Sequence, residues 1–256
     1  MGKDTEKKQN KIGSNLLTSL LLLLVALAAI SAVTYAWFTL SDNTRLNTLR
    51  MDVTTGLSLR FDLDPHTEFT DYKQTLTFEE IADRILLEQG FDMREVPLDP
   101  VTSSDGKNFF LENGTGVLPT SGKYLEFTLH FMAMSDMYVH IVDFGSAAGE
   151  NNGTLIWSNS EPQLGQAMRM SFTWQEGDHI YSYRNGINYN EFNYDNSLFF
   201  LPADTDKPVL VRIWLEGNDP LCTNDLKGAD YSIRMRFEGT DENNQPLQDS
   251  RAQRRN

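Results

Sequence analysis

The sequence predicts a mainly β fold: an antiparallel β-sandwich or jelly-roll-like domain with one short inserted helix, preceded by an N-terminal membrane-directed helix. Three observations support this prediction: one long apolar run at residues 16–36, period-two alternation in later segments, and frequent Gly, Asn and Asp residues between those segments. They divide the chain into a basic cytoplasmic segment (1–15), a transmembrane helix or signal-peptide core (16–36), an extracellular domain (37–240) and a polar tail expected to be disordered (241–256).

The apolar run is long enough to cross a bilayer. At about 1.5 Å per residue, residues 16–36 reach roughly the 30 Å of the hydrocarbon core. Residues 1–15 carry a net charge of +2, and the positive-inside rule keeps such a flank in the cytoplasm. The run is longer than an ordinary signal core, yet Thr34-x-Ala36 offers a small-x-small cleavage step. The sequence therefore leaves open a retained anchor or cleavage between Ala36 and Trp37.

Composition sets limits on the exported part. Subtracting the +2 of the first fifteen residues from the total of −14 leaves −16, which argues against nucleic acid as a partner. Cys222 is the one cysteine, so no intrachain disulfide can form and the domain must depend on core packing. An exported chain without paired cysteines suits a bacterial surface, particularly a Gram-positive one.

Alternating apolar residues predict the strands. In the segment 51–63, Leu57, Leu59, Phe61 and Leu63 share one face. The same pattern predicts further strands at 124–131, 138–142, 168–174, 209–215 and 231–237. A sheet built from such strands, with few helices, is typical of a sandwich or jelly roll.

Two local motifs interrupt the strands. Thr77 and Glu80 form a capping box before an apolar stripe, and Gly90 is a suitable C-terminal stop, so a helix is expected between them. Residues 97–122 are rich in turn formers and predict a loop with a short strand near Phe109. Asn185-Gly186 predicts a type I′ hairpin whose arms carry tyrosines, either a plain surface hairpin or a contact surface.

A search for catalytic chemistry finds no catalytic residue and no cofactor motif. The chain has no HExxH, GxSxG, P-loop or glycine-rich dinucleotide turn. His130 and His140 lie in consecutive predicted strands that could pair, so they are weak candidates for a shared metal site. They lack a third ligand at a recognisable spacing, and the prediction is therefore no metal.

The segment Thr34-Tyr-Ala-Trp-Phe38, followed by Ser41-Asp42, resembles the leader and early mature region of the TasA/camelysin-type exported proteins of Gram-positive bacteria. A dedicated signal peptidase processes those proteins, and the resemblance implies cleavage after Ala36 with Trp37 as the new N-terminus. Residues 167–172 and 209–222 are similar to motifs of uncharacterised clostridial proteins with the same kind of leader. The resemblance implies a jelly-roll-like extracellular domain with a biofilm-matrix or surface-fibre role.

Three functions follow as expectations. The first is a non-enzymatic surface or biofilm-matrix protein that assembles by adding the segment 37–52 to the sheet of a second copy. The second is a membrane-tethered module that binds a glycan or protein partner, and the third is a metallopeptidase-like camelysin relative. Candidate partner-binding residues are aromatic: Tyr181, Tyr183, Tyr189, Trp214, Trp37 and Phe38. The membrane itself is an expected partner through residues 16–36, and the expected location is extracytoplasmic.

Overall fold

The computed structural model describes residues 19–26, 45–53, 58–142, 153–182, 190–191, 197–226 and 228–247, and for 45–53 and 190–191 it describes the backbone. These residues confirm a mainly β chain with antiparallel sheets and few helices. Helix α1 covers residues 19–26, α2 is Phe78–Gln89 and α3 is Leu164–Ala167. In chain order, the strands are β1 (Arg45–Val53), β2 (Leu59–Asp62), β3 (Thr75–Leu76), β4 (Phe109–Phe110), β5 (Gly116–Val117), β6 (Leu125–Ala133), β7 (Met137–Ile141), β8 (Leu155–Trp157), β9 (Met168–Trp174), β10 (Gly177–Ser182), β11 (Asn190–Glu191), β12 (Phe199–Leu201), β13 (Lys207–Leu215) and β14 (Asp230–Thr240).

The first sheet contains both the first and the last described strand of the chain. Its order is β12-β7-β14-β1-β3, with β8 also paired to β14. Most of its pairs are antiparallel, but β1 runs parallel to β14. The predicted strand over 51–63 is therefore two strands, because its first residues belong to β1 in this sheet and its later residues form β2 in the other.

The second sheet has the order β11-β10-β9-β13-β6-β2. All its pairs are antiparallel except β10 with β11. The possible pairing between the strands that carry His130 and His140 is not formed, since β6 lies in this sheet and β7 in the first. The short connection between β6 and β7 crosses from one sheet to the other. A hydrogen bond from the Asp204 N–H to the Ala133 carbonyl, at 2.8 Å, holds the start of this connection.

Aromatic rings join the inner faces of the two sheets. Phe237 on β14 packs edge-on against rings from three strands of the second sheet, with centroids 5.1–6.2 Å away: Phe61, Phe131 and Phe172. Phe199 on β12 likewise meets Phe131 and Trp174. These contacts belong to one continuous apolar cluster with members from both sheets. Burial of such side chains is the main force that holds the two sheets together.

The predicted helix is confirmed as α2. The Glu80 N–H donates to the Thr77 hydroxyl and the Glu80 carboxylate accepts from the Thr77 N–H, so the capping box is complete. Gly90 ends the helix with φ of +79°, a conformation that favours glycine. Ile81 and Ile85 are fully buried in the main cluster, which fixes α2 against the sheets.

The two ends of the chain carry the predicted membrane-directed helix and the predicted disordered tail. No helix within the described ranges is long and apolar enough to cross a membrane, and the predicted helix at 16–36 extends beyond α1 on both sides into residues outside those ranges. Residues 241–247 differ from the expected disordered tail. The Asp241 carboxylate accepts hydrogen bonds from the Asn243 and Gln245 N–H groups, and Leu247 packs against the main cluster. Residues 248–256 lie outside the described ranges.

Candidate functional site

The loop between α2 and β6 covers part of the outer face of the second sheet. It contributes to a second, smaller apolar cluster formed by Val101, Phe109, Tyr124, Ile180 and Trp214. The ring of Phe109 stacks on Tyr124 at 4.0 Å and meets Trp214 edge-on at 5.1 Å. Trp214 points away from the main core and is fully buried under this loop. The prediction that Trp214 is part of an exposed binding surface is therefore wrong.

A polar pocket lies where this loop meets the end of β13. Two backbone hydrogen bonds join the parts, from the Val101 N–H to the Leu215 carbonyl (3.0 Å) and from the Gly217 N–H to the Val101 carbonyl (2.9 Å). The pocket has a volume of about 260 Å³, and most of its lining residues carry polar side chains: Thr102, Ser103, Ser104, Arg169, Trp214, Glu216, Asn218, Asp219 and Pro220. It therefore has the size of a site for a small polar group.

A buried ion pair forms one wall of the pocket. The Arg169 guanidinium donates through Nη2 to Asp219 Oδ2, and both side chains are at most 2% exposed. Arg169 Nη1 also donates to the carbonyls of Gln166 and Met168, each at 2.8 Å. The second oxygen of Asp219 accepts from the Leu221 N–H at 2.8 Å. Breaking such a pair would leave an uncompensated charge in a site with little water.

Glu216 supplies the second carboxylate of the lining. Its Oε2 accepts from the indole Nε1 of Trp214 at 2.9 Å and from the Ser103 N–H at 3.3 Å, while Oε1 accepts from the Asn218 N–H at 3.1 Å. The residue is 8% exposed. Its hydrogen bonds hold a negative charge at a fixed place in the pocket.

The charges of this pocket reach the single cysteine. Burial, with a smaller contribution from the neighbouring Asp219 and Glu216 carboxylates, raises the pKa of the Cys222 thiol to about 12. The thiol therefore stays protonated at neutral pH, whereas a reactive cysteine is present as a thiolate at that pH. Cys222 packs against the main cluster as a small apolar side chain.

The structure brings together two motifs that the sequence presents separately. β9 carries residues 168–172 and β13 ends in the turn at 216–220, and the two strands pair with Trp214 opposite Arg169. Arg169 and Asp219 are missed by reasoning from the sequence as site residues. Arg169 lies within an apolar strand, and that position is a signal that it needs a buried partner.

Of the candidate tyrosines in the hairpin segment, Tyr181 lies within the described ranges, and it is not on the surface. Tyr181 is 2% exposed, and its ring packs on Phe172 in the main cluster at 5.9 Å. Burial raises the pKa of its hydroxyl. Its prediction as a partner-binding residue is wrong, because β10 turns this side chain inward. Tyr183, Tyr189, the turn at Asn185-Gly186, and the cleavage and contact residues Ala36, Trp37 and Phe38 lie outside the described ranges.

The two histidines proposed as weak metal candidates lie in different settings. His130 Nδ1 is 2.9 Å from Asp206 Oδ2, and the Tyr72 hydroxyl donates to the other oxygen of Asp206 at 2.7 Å. His140 is fully buried, with Nε2 2.9 Å from the Thr240 hydroxyl. Their strands lie in separate sheets, so the shared site that depended on pairing does not form. Within the described ranges, no three His, Cys, Asp or Glu residues are placed to hold a metal ion.

Comparison with known proteins gives no relative: the chain matches no protein-family model, no curated protein and no solved structure.

Proposed function

We propose that this chain is a non-enzymatic exported protein of the bacterial surface or biofilm matrix, similar in kind to the TasA/camelysin-type proteins, and that it assembles by adding its N-terminal strand to a second copy. The body of the protein would be an antiparallel sandwich with a jelly-roll-like arrangement. The ring contacts of Phe237 and Phe199 across the two sheets support that architecture.

The observation that carries the proposal is the place of β1. This strand lies beside β14 in parallel and pairs with eight of its residues, from Asp230 to Phe237. The opposite edge of β14 is already occupied by β7 and β8. On its far side, the pairing of β1 within the described ranges is the two-residue one with β3. Most of the interstrand pairing of β1 is therefore with β14.

This arrangement suits strand addition. The partner surface for β1 is a continuous strand edge, which any chain with the same backbone register can occupy. Without β1, β14 would present an edge eight residues long, along which alternate residues have unpaired N–H and C=O groups, and such an edge favours pairing with another chain. A second copy's β1 would restore the same hydrogen bonds, so the exchanged and unexchanged forms differ little in contact energy.

The leader decides which form is produced. If residues 16–36 are removed, the segment from Trp37 onward is free to reach a neighbour; if they are kept, the domain stays on the outer face of a membrane. The net charge of −16 beyond residue 15 suits a soluble extracytoplasmic surface.

Electron microscopy of the protein secreted by its native cell tests the proposal. We expect fibres or oligomers from a mature form that begins at Trp37. The double variant Leu49→Pro/Arg50→Pro should give monomers, because consecutive residues direct their N–H groups to opposite sides and one proline must remove an N–H directed at β14. The matched control Leu49→Val/Arg50→Lys retains both N–H groups and should assemble. Monomeric particles from the cleaved wild-type protein would contradict the proposal.

A tethered binding module is the second candidate, and the polar pocket is the observation that favours it. The pocket presents fixed charges and hydroxyl groups where the loop meets the end of β13. Retention of residues 16–36 in the mature protein would favour this function over assembly.

A further inference from the structure

The charges that line the polar pocket do not balance. It contains one guanidinium, from Arg169, and two carboxylates, from Asp219 and Glu216. The guanidinium is committed to Asp219 and to two backbone carbonyls. The carboxylate of Glu216 is therefore left as the net charge of the pocket.

Within the described part of the chain, the hydrogen-bond donors to Glu216 are all neutral. Its bonds come from one indole and two backbone N–H groups, and it forms no ion pair with a described residue. A carboxylate that is more than nine-tenths buried gains much from a cation, since Coulomb attraction is stronger in a site of low dielectric constant than in water. The fixed position of its two oxygens also means that a cation would find this acceptor already oriented.

We infer that this pocket binds a primary ammonium group, with Glu216 as its counter-ion. Three neighbouring side chains add hydroxyl oxygens as further acceptors: Thr102, Ser103 and Ser104. An ammonium group has three donors, which matches one carboxylate with nearby hydroxyls. A volume of about 260 Å³ suits a short alkylammonium chain, because pockets for larger ligands are about 300–1,000 Å³.

A metal ion fits this pocket less well. Calcium takes about six to eight oxygen ligands and draws on several carboxylates, whereas one of the two carboxylates here is already neutralised by Arg169. The same ammonium chemistry is offered by a free amine or by a lysine side chain of another protein, and the experiment must distinguish these sources.

The test uses the full-length chain and two probes of the same length, 1,5-diaminopentane and 1,5-pentanediol. Binding is followed by the ¹⁵N–¹H resonance of the Trp214 indole, because this group donates directly to Glu216. The resonance is assigned by its absence from the spectrum of Trp214→Phe. We expect one saturable site for the diamine and binding at least about tenfold weaker for the neutral diol, since charge-assisted hydrogen bonds are the stronger ones. Equal binding of both probes, or no saturable response to the diamine, would overturn the inference.

Two variants test whether the carboxylate of Glu216 is the group that binds the ammonium probe. Glu216→Gln retains the shape and an accepting oxygen, and it should weaken diamine binding by about tenfold or more. Asp225→Asn, which removes an exposed carboxylate three residues after Cys222 and outside the pocket lining, should bind as the wild type does. Equal losses in the two variants would mean that the amine follows the overall negative charge. The wild-type comparison of diamine with diol needs no variant, so it decides the matter even if Glu216→Gln does not fold.

The source of the ammonium group is tested by a third probe, the Nα-acetyl amide of lysine. Binding of this probe at least as tight as that of the diamine would assign the pocket to a lysine side chain on a protein. Tighter binding of the diamine would assign it to a free amine. Both results support ammonium recognition, and neither depends on whether the chain forms fibres.

Discussion

Replacement of Phe237 by alanine should weaken the packing between the two sheets and lower the free energy of unfolding. Phe237 is fully buried and its ring meets those of Phe61, Phe131 and Phe172, all on the other sheet, at 6.2, 5.1 and 5.9 Å. Loss of a buried phenylalanine costs about 3–5 kcal/mol, because the surrounding rings close the cavity only in part. With a urea dependence of about 2 kcal/mol/M, a loss of about 4 kcal/mol lowers the unfolding midpoint by about 2 M.

The assay is urea unfolding followed by circular dichroism on the full-length chain. The matched control is Phe200→Ala, since Phe200 is 44% exposed and its ring meets only that of Tyr138, at 5.2 Å, among the described ring contacts. This control should lose about 0.5–1 kcal/mol, the size of a surface change that removes one aromatic contact. If the two variants shift the midpoint equally, the shared core between the sheets is refuted.

Three further predictions concern the buried ion pair, the contact of α3 with β8, and the loop over the second sheet. Arg169→Met should lower the free energy of unfolding by about 3–5 kcal/mol by stranding the Asp219 carboxylate, and adding Asp219→Leu should recover most of that loss in urea unfolding. Gly165→Ala should lower the melting temperature by several degrees, because a Cβ there would collide with a backbone carbonyl, whereas Gly116→Ala, which meets nothing, should leave it unchanged. In the wild type, the ionised Asp105 carboxylate stabilises the fold by about 1 kcal/mol, and this contribution is lost as the pH falls from about 4 to about 2. Asp105→Asn lacks the contribution at every pH, so its melting temperature should drop less than that of the wild type over this range.

The pH prediction follows from the surroundings of Asp105. Burial by itself would raise the pKa of this carboxyl, but hydrogen bonds from Asn108, Lys107 and Ser103 outweigh it and lower the pKa to about 2. A carboxyl with a lowered pKa in the folded chain stabilises the fold above its unfolded pKa and ceases to do so once it is protonated. Because the carboxyl remains partly exposed, solvent screening keeps the effect small.

Local patterns were sufficient for the elements whose cause is local. The α2 helix follows from its capping box and Gly90, which act within one turn. β9 and β13 follow from alternation, because one face of each enters the core. The same alternation along β13 puts Trp214 on the face opposite the core residues of that strand.

The remaining features depend on contacts between distant segments. Nothing near Trp214 in the sequence shows that the loop carrying Phe109 covers it, so its exposure could not be predicted. The turn after Ala133 has the composition of a hairpin, yet it crosses between sheets, and alternation is the same in both cases. The parallel pairing of β1 with β14 joins opposite ends of the domain and leaves no local signal.

In the polar pocket too, one feature could be predicted from the local sequence and the others depend on contacts between distant segments. Arg169 in an apolar strand signals the need for a buried partner, but only the pairing of β9 with β13 identifies Asp219 as that partner. Glu216 and the loop hydroxyls meet because Val101 is hydrogen-bonded to the end of β13. A site assembled from three separate segments is therefore visible in the fold and not in any one motif.

Disulfide formation between two singly substituted chains tests the proposed assembly most directly. Register pairs Thr48 on β1 with Ser232 on β14, so cysteines at these positions are close enough to cross-link. In a Cys222→Ser background, mature Thr48→Cys and Ser232→Cys chains are mixed under assembly conditions, oxidised and separated by mass. The proposal predicts a covalent dimer of the two different chains, whereas Thr48→Cys mixed with Thr115→Cys, at an exposed turn, should give none. Absence of the Thr48–Ser232 dimer, with the doubly substituted chain cross-linking only within itself, would contradict the proposal.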